Sequence, residues 1–350
     1  MEHVIAPEDS TTSIRPLYRA PRTQDVWSAH NLWYQAQPHE VHNTDVALGL
    51  IGECARLGIH TVALPAILAD DDPSYVERVS HKAQRRGIRV LPHVGSAVFQ
   101  HAPDLNAADR YAVLSQWFSH GALGVELGTI DLEESGVNAA GHHVHAGWDG
   151  HELLAFVKGL NPDAIVSANL RSASIENAAA HALEHYLDLV RFETSAPRVL
   201  DQHNYADEIS SYLQLFEAAG LSPSWNCSVP TLDNYAGMLT DGAILLAAAF
   251  FPGFLHFEQN IPGRSPSLRH ALRLRDALGL HRSSILLNIE LAQDGFVWLI
   301  NDKLTMLLNF GPYTYAVPND GTVIVSSLIE LPEEAGRLII PPGEAAWLRR

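Results

Sequence analysis

The sequence predicts an α/β chain: a TIM (β/α)8 barrel without a sizeable inserted domain after strand three, followed by a small C-terminal antiparallel β domain. Three observations predict it. From Asn31 to Gly279, short apolar runs alternate with amphipathic stretches at intervals of roughly 25 to 35 residues, the rhythm of βα units. After Gly279 the apolar residues recur at every second position instead, as in antiparallel strands. The length of 350 residues accommodates one barrel of about 250 residues and a modest addition.

The totals narrow the function. A chain that is 47% hydrophobic and 18% charged has the make-up of a globular protein rather than a disordered one. Its 23 Lys and Arg against 40 Asp and Glu leave a net charge of −17, so nucleic acid and anionic lipid surfaces are repelled. Cys54 and Cys227 are the only cysteines, too few for a disulfide framework or a cysteine zinc site, which fits a reducing cytoplasm. The opening MEHVIAPEDS lacks the basic-then-apolar order of a secretory leader. Ala243 to Phe251, the longest apolar run, is about half of what a bilayer span needs. A soluble cytoplasmic protein is expected. No cofactor is expected either, because no Gly-rich phosphate loop of known pattern is present.

Taken in order, residues 1–28 are polar and proline-containing, an arm lying on the surface. The barrel, residues 29–280, begins with strand Leu32–Ala36 and helix Val46–Leu57, ended by Gly58. Strand Thr61–Leu64, helix Ser74–Arg86 and strand Ile88–Leu91 follow. Asp104-Leu105-Asn106 then initiates a helix in which Tyr111, Leu114, Trp117 and Phe118 share one face. Gly121 ends it, and Leu123, Val125 and Leu127 alternate with Gly124, Glu126 and Gly128 as strand four. A helix near His151 to Lys158 closes that unit. Strands five to eight are Ala164–Ser167, Leu189–Phe192, Ser224–Asn226 and Phe254–Phe257. Helices Ile175–His185, Tyr205–Ala219, Met238–Phe250 and Leu268–Leu278 fill the remaining places. In the C-terminal domain, residues 281–350, strands Ile285–Leu291, Phe296–Ile300 and Leu304–Phe310 are separated by the hairpin signals Asp294-Gly295 and Asn301-Asp302. Val323–Leu328, Arg337–Ile340 and Ala346–Leu348 continue the run.

Several of these segments resemble the α-amylase family, glycoside hydrolase family 13. Asp104-Leu105-Asn106, Trp117, Gly121 and Gly124 are similar to the family's Asp-Leu-Asn, helix and fourth strand. Leu32-Trp33-Tyr34-Gln35 looks like its first strand. Leu57-Gly58-Ile59-His60-Thr61-Val62-Ala63-Leu64-Pro65 looks like its second, and Arg86-Gly87-Ile88-Arg89-Val90-Leu91 like the approach to its third. Phe251-Pro252-Gly253 and the ending Ile340-Pro341-Pro342-Gly343 to Leu348 are similar to its last strand and C-terminal domain. The likeness runs in order over residues 31–350 and implies the barrel and the β domain.

The same resemblance implies lost chemistry. Retaining glycoside hydrolysis needs two carboxyl groups about 5 to 5.5 Å apart. In the family's fourth strand, Gly-Phe-Arg-x-Asp, the Asp is the nucleophile and the Arg holds it; here Glu126 stands at the Arg position and Gly128 at the nucleophile position. Ala168 falls where the resemblance puts the acid Glu. Ser228, in Asn226-Cys227-Ser228, falls where it puts the third acid. Pro92-His93-Val94 replaces the family's Asp and Asn-His pair after strand three. A catalytically inactive relative is therefore expected, a binding, regulatory or stabilising subunit in α-glucoside metabolism. Its expected partner is a homologous active enzyme or a second copy of itself, and its ligand an α-glucan or small α-glucoside.

A different reaction stays open from the residues themselves. Glu126, Glu193 and Glu258 fall near the ends of strands four, six and eight, with His93, Asn169, Asn226 and His256 at other strand ends. They compose either a rebuilt acid/base or sugar-binding site, in a glycosidase, transferase or sugar isomerase, or a mouth that is polar because it faces water. For Glu126 a salt bridge to a neighbouring Arg or Lys is the alternative to catalysis. Trp33, Tyr34, Trp148 and Trp225 are candidates to stack on a sugar ring, or simply core. His142, His143, His145, Asp149 and His151 are the densest set of potential metal ligands, but their spacing matches no known site and a solvated loop is the simpler reading. No metal is expected.

Overall fold

Eight parallel strands form one sheet in the computed structural model, which describes residues 4–5, 14–19, 31–68, 72–95, 98, 106–133, 136–137, 143–145, 148–172, 174–182, 187–194, 205–227, 239–258, 265–288, 295–319 and 321–349. The strands are β1 (Leu32–Gln35), β2 (Thr61–Pro65), β3 (Arg89–His93), β4 (Gly124–Asp131), β5 (Ile165–Ser172), β6 (Leu189–Thr194), β7 (Ser224–Asn226) and β8 (Phe254–Glu258). Their order is 6-5-4-3-2-1-8-7, so each lies beside its neighbour in the chain and β8 pairs with β1. This is the order of a (β/α)8 barrel, with β6 and β7 flanking the remaining seam.

The helices are α1 (Thr44–Leu57), α2 (Tyr75–Arg85), α3 (Ala107–Ser119), α4 (Gly150–Leu160), α5 (Ile175–Ala182), α6 (Tyr205–Ala219), α7 (Asp241–Phe250) and α8 (Pro266–Leu278). Local chemistry fixes their ends. Asn43, Asn106, Asp149, Thr240 and Ser265 each accept a hydrogen bond from a first-turn N–H of the helix they precede. Gly58 and Gly279 end α1 and α8 in the left-handed conformation. Among the described residues no helix is long and apolar enough to cross a membrane.

Beyond the barrel lie β9 (Ile285–Asn288), β10 (Phe296–Ile300), β11 (Leu304–Asn309), β12 (Tyr315–Pro318), β13 (Thr322–Ser326), β14 (Arg337–Ile340) and β15 (Ala345–Arg349). A sheet of order β13-β15-β11-β10-β9 faces a smaller one containing β12 and β14. Phe296, Leu307, Tyr315, Val317, Leu338 and Ile340 fill the space between them. The other face of the larger sheet packs on α7, where the rings of Phe250 and Trp347 meet at 5.8 Å. That contact joins the β domain to the barrel.

Several segments depart from the sequence expectation, among them Val4–Ile5 of the expected arm, which pairs parallel with β12. Residues 14–18, expected in a surface arm, form the strand Ile14–Tyr18, which pairs antiparallel with β9 and buries Leu17 and Tyr18. Pro16 is tolerated because the strand lies at the sheet edge. The stretch after β4, expected as a loop, contains three short strands, Gly136–Val137, His143–His145 and Trp148–Asp149. Strand β12 was not expected, since four residues ending in Pro318 give almost no alternation to read.

Arg275 bolts the barrel floor. Its buried guanidinium donates to Asn31 Oδ1 at 3.1 Å, to Ala249 O at 2.8 Å, and to the carbonyls of Phe251 and Gly253. These are the free carbonyls at the end of α7 and the turn into β8. Replacing Arg275 with Ala strands them without water. The expected result is a loss of at least about 3 kcal/mol, since each stranded buried acceptor costs roughly 1 to 3 kcal/mol, read as a lower urea midpoint with an unchanged slope.

Candidate functional site

The barrel interior is layered. Trp33, Ala63, Leu91, Ile165, Leu189 and Phe254 form an apolar floor. Side chains two residues further along each strand point the same way, and there the lining turns polar. Gln35, His93, Glu126, Ser167, Arg191 and His256 occupy this second layer, and all are buried.

Arg191 organises the layer. Its fork donates to Glu126 from Nη2 to Oε1 at 2.8 Å and from Nη1 to Oε2 at 3.2 Å. Nη1 also donates to Ser167 Oγ at 3.0 Å, and Nη2 reaches Gln35 Oε1 at 3.5 Å. Glu126 Oε1 accepts the backbone N–H of Gly128 at 2.8 Å. Because Gln35 offers its oxygen to Arg191, its amide nitrogen faces His93 Nε2 at 3.4 Å, which makes that ring nitrogen an acceptor. His256 stands on the far side, with Nε2 3.7 Å from Glu126 Oε2 and Nδ1 3.8 Å from Glu258 Oε1.

The charges in this layer are settled by geometry. Burial on its own pushes the Glu126 carboxyl up, but the Arg191 charge, contact with His256 and the Arg191 hydrogen bonds outweigh it and hold it below the usual carboxylate range. Burial, reinforced by Arg191, drives His256 down to about 4 against the pull of Glu126. Burial also lowers His93. At neutral pH the layer therefore holds one carboxylate, one guanidinium and two neutral imidazoles. No group in it is tuned to donate a proton near pH 7.

A bulge reshapes the mouth. In the register of β4 against β5, Glu126 lies beside Ser167 and Thr129 beside Asn169, so Leu127 and Gly128 together face Ala168. Gly128 makes the extra residue possible at φ 71°. A Cβ there would stand 2.6 Å from His93 Nε2. The place that the resemblance assigns to a nucleophile is thus filled by the imidazole from the next strand.

Other expected positions are placed as follows. Ala168 packs outward with Val166 and Leu170. The inward residue at that height is Asn169, which donates from Nδ2 to Thr129 Oγ1 at 3.2 Å. Ser228 lies outside the described residues. Its neighbour Cys227 is buried, and its thiol is pushed up to about 12 by burial, far from a thiolate nucleophile. Glu193 is next to last in β6, its backbone in register beside Arg171 of β5. Asn226 lies beside His256 on the inner face.

The aromatic candidates are elsewhere. Trp33 is in the floor. Tyr34 faces the helices and donates to Glu40 Oε1 at 3.0 Å. Trp225 lies between Tyr212 and Phe251, each at 4.7 Å, and donates to Pro252 O at 2.7 Å. Trp148 is buried and donates to Val94 O. His142 lies outside the described residues. The backbone sets His143 opposite Val137 and His145 opposite Trp148, and Asp149 caps α4. Among the described residues no three His, Cys, Asp or Glu side chains gather as metal ligands.

The structure thus joins His93, Glu126, His256 and Glu258 with Asn169 and Asn226 along the inner wall, keeps Trp33 in the floor beneath them, and sends Tyr34 and Trp225 outward. Sequence reasoning missed Arg191, Gln35, Ser167 and Thr129. Arg191 had a signal: a lone cation inside the apolar strand Leu189-Val190-Arg191-Phe192 needs a buried anion opposite.

Neither a protein-family model nor a curated protein matches the sequence. Solved structures do match in shape. A family GH13_31 enzyme superposes with a TM-score of 0.63 at 11% identity, over 93% of this chain and 99% of that one. The fold is glycoside-hydrolase-like. A second glycoside hydrolase gives 0.51 at 10% identity, over 91% and 92% of the two chains. A family 5 glycoside hydrolase from Bacteroides vulgatus gives 0.50 at 10%, over 94% and 95%. At these identities the likeness concerns the fold and not the site.

Two outcomes follow for the buried layer. Glu126→Gln and Arg191→Met each leave a partner uncompensated and should each cost about 3 to 5 kcal/mol, whereas the double variant should cost less than their sum; urea unfolding of all four proteins checks this. Acid should also destabilise the fold. Unfolded histidine takes a proton near pH 6.5, whereas folded His256 resists until about 4, so stability falls as pH drops through that window. The effect is on the order of 3 kcal/mol for His256. Melting temperatures from pH 7 to pH 4 should decline, with a shallower decline in His256→Gln.

Proposed function

We propose that the chain is a non-hydrolytic relative of the α-amylase family that serves as a binding, regulatory or stabilising subunit in α-glucoside metabolism. The observation that carries this reading is the Glu126–Arg191 pair, dry and bonded within the barrel. With both oxygens bonded and no exposed surface, this carboxylate is not placed to reach a glycosidic bond, and, held ionised, it has no proton to give one. The space above it supports the same view, because the nucleophile position is occupied by His93. At the inner wall Thr129 is exposed and Asn226 half-buried, where they would meet sugar hydroxyls. The partner is a homologous active enzyme or a second copy of this chain, and the ligand an α-glucan or small α-glucoside. Two buried free cysteines suit a cytoplasmic setting.

A second reading has one observation in its favour. His256 stands between Glu126 and Glu258 at 3.7 and 3.8 Å, a carboxylate–imidazole–carboxylate line reaching toward the strand ends. A carbohydrate enzyme with a rebuilt site would use Glu258 as its working group, with Glu126 behind His256 and Glu193 further round the rim.

One experiment separates the two. The purified chain is incubated with p-nitrophenyl α-glucoside, maltose and maltoheptaose, and products are followed by anion-exchange chromatography. The first reading predicts no turnover above buffer, and binding of maltoheptaose by calorimetry. Turnover that disappears in Glu258→Gln would establish the second reading and overturn the first.

A further inference from the structure

Away from the barrel mouth, the outer surface of α1 and α2 carries a charge pattern that the fold does not require. Arg78, Lys82, Arg85, Arg86 and Arg89 fall within twelve residues, and no Asp or Glu occurs from Arg78 to Pro103. Four of them, with His81 and Leu48, line a groove of about 580 Å³. Arg78 is spent on Asp45 at 2.7 Å and Asp72 at 3.5 Å. Lys82, Arg85 and Arg86 make no ion pair among the described residues.

At this groove α2 forgoes side-chain pairing along its own face and α1 forgoes a better helix former, although Lys82 and Arg85, in the last turn of α2, do suit its dipole. Arg78 and Lys82, Lys82 and Arg86, and His81 and Arg85 are spaced four apart, so each cation of α2 faces a like-charged neighbour or an imidazole instead of the acid that would stabilise the helix. On α1, Gly52 faces Lys82 from mid-helix, where alanine would hold the helix better. Sterics do not demand the glycine: an added Cβ would meet nothing nearer than Lys82 Nζ at 3.9 Å. Local choices that oppose folding without a packing reason mark functional surface.

We infer that this groove binds an acidic, extended segment of a partner protein. The cations are strung along one helix face over about 12 Å, from residue 78 to residue 86 at 1.5 Å per residue. They form a row and do not converge on a point. A row suits successive carboxylates of a peptide, whereas a single phosphate is held by donors that converge on it. A nucleic acid or anionic membrane would extend beyond the row onto a chain whose net charge is −17. The inference is independent of the barrel mouth, so it stands or falls whether or not that mouth binds sugar.

The test uses the full chain and a fluorescein-labelled peptide of ten alternating Glu and Ser residues, read by anisotropy at low salt. Arg85→Glu/Arg86→Glu should weaken binding at least tenfold while leaving the circular dichroism of the folded chain unchanged, since both side chains are exposed. Arg269→Glu/Arg273→Glu, exposed on α8, should bind as the parent does. Gly52→Leu keeps every charge but fills the groove, and should weaken binding at least threefold. If the parent does not bind the peptide, if the α8 variant loses as much, if Gly52→Leu binds like the parent, or if inorganic phosphate or single-stranded DNA competes at lower concentration than unlabelled peptide, the inference is wrong.

Discussion

The buried ion pair of Glu126 and Arg191 is the constraint on which the upper barrel depends. β4 and β6 are not adjacent, so the pair spans β5, and Ser167 of that strand accepts from the same guanidinium. A bare charge at this depth is untenable, and the two charges are tolerable only together with their hydrogen bonds. Three neighbours are placed around the pair: Gln35 completes the fork, its amide sets the tautomer of His93, and the Gly128 bulge delivers a backbone N–H to the carboxylate. The bulge, in turn, leaves room for His93. One ion pair thus accounts for the glycine, the two histidines and the lack of a free acid in that layer. Such a pair need not add net stability over an apolar core; its stronger effect is to fix one arrangement of the strands.

Much of the fold was legible because it rests on period and punctuation. The eight βα units followed from apolar runs and their spacing, and helix ends from the initiating Asp104-Leu105-Asn106 and the stop glycines Gly58 and Gly121. What was not legible depended on long-range pairing. Ile14–Tyr18 belongs to a sheet whose next strand is more than 250 residues away in sequence. No local pattern announces that.

The candidate site was read in outline and missed in detail. Strand ends placed His93, Glu126, Asn169, Asn226, His256 and Glu258 toward one inner wall. The resemblance, however, put its vacant site positions at Gly128 and Ala168, whereas Ala168 packs outward and the bulge in β4 sets Thr129 inward beside Asn169. A single extra residue exchanges the faces of everything after it. The salt-bridge alternative for Glu126 was legible in kind, but its partner lies 65 residues away. Trp33, Tyr34 and Trp225 attracted attention as sugar platforms because aromatic residues near strand ends do not declare which side they face.

The most direct test of this account is the ionisation of Glu126 in the folded protein, followed by carbon NMR of side-chain carboxyls in glutamate-labelled protein, with Glu126→Gln assigning the signal. The account predicts that this carboxyl stays ionised throughout the acid range in which the fold survives, its resonance unmoved while ordinary glutamates titrate near about 4.3. Titration at or above that ordinary value, and above all near neutrality, would contradict it, because the group would then be a protonatable acid and not the fixed half of an ion pair.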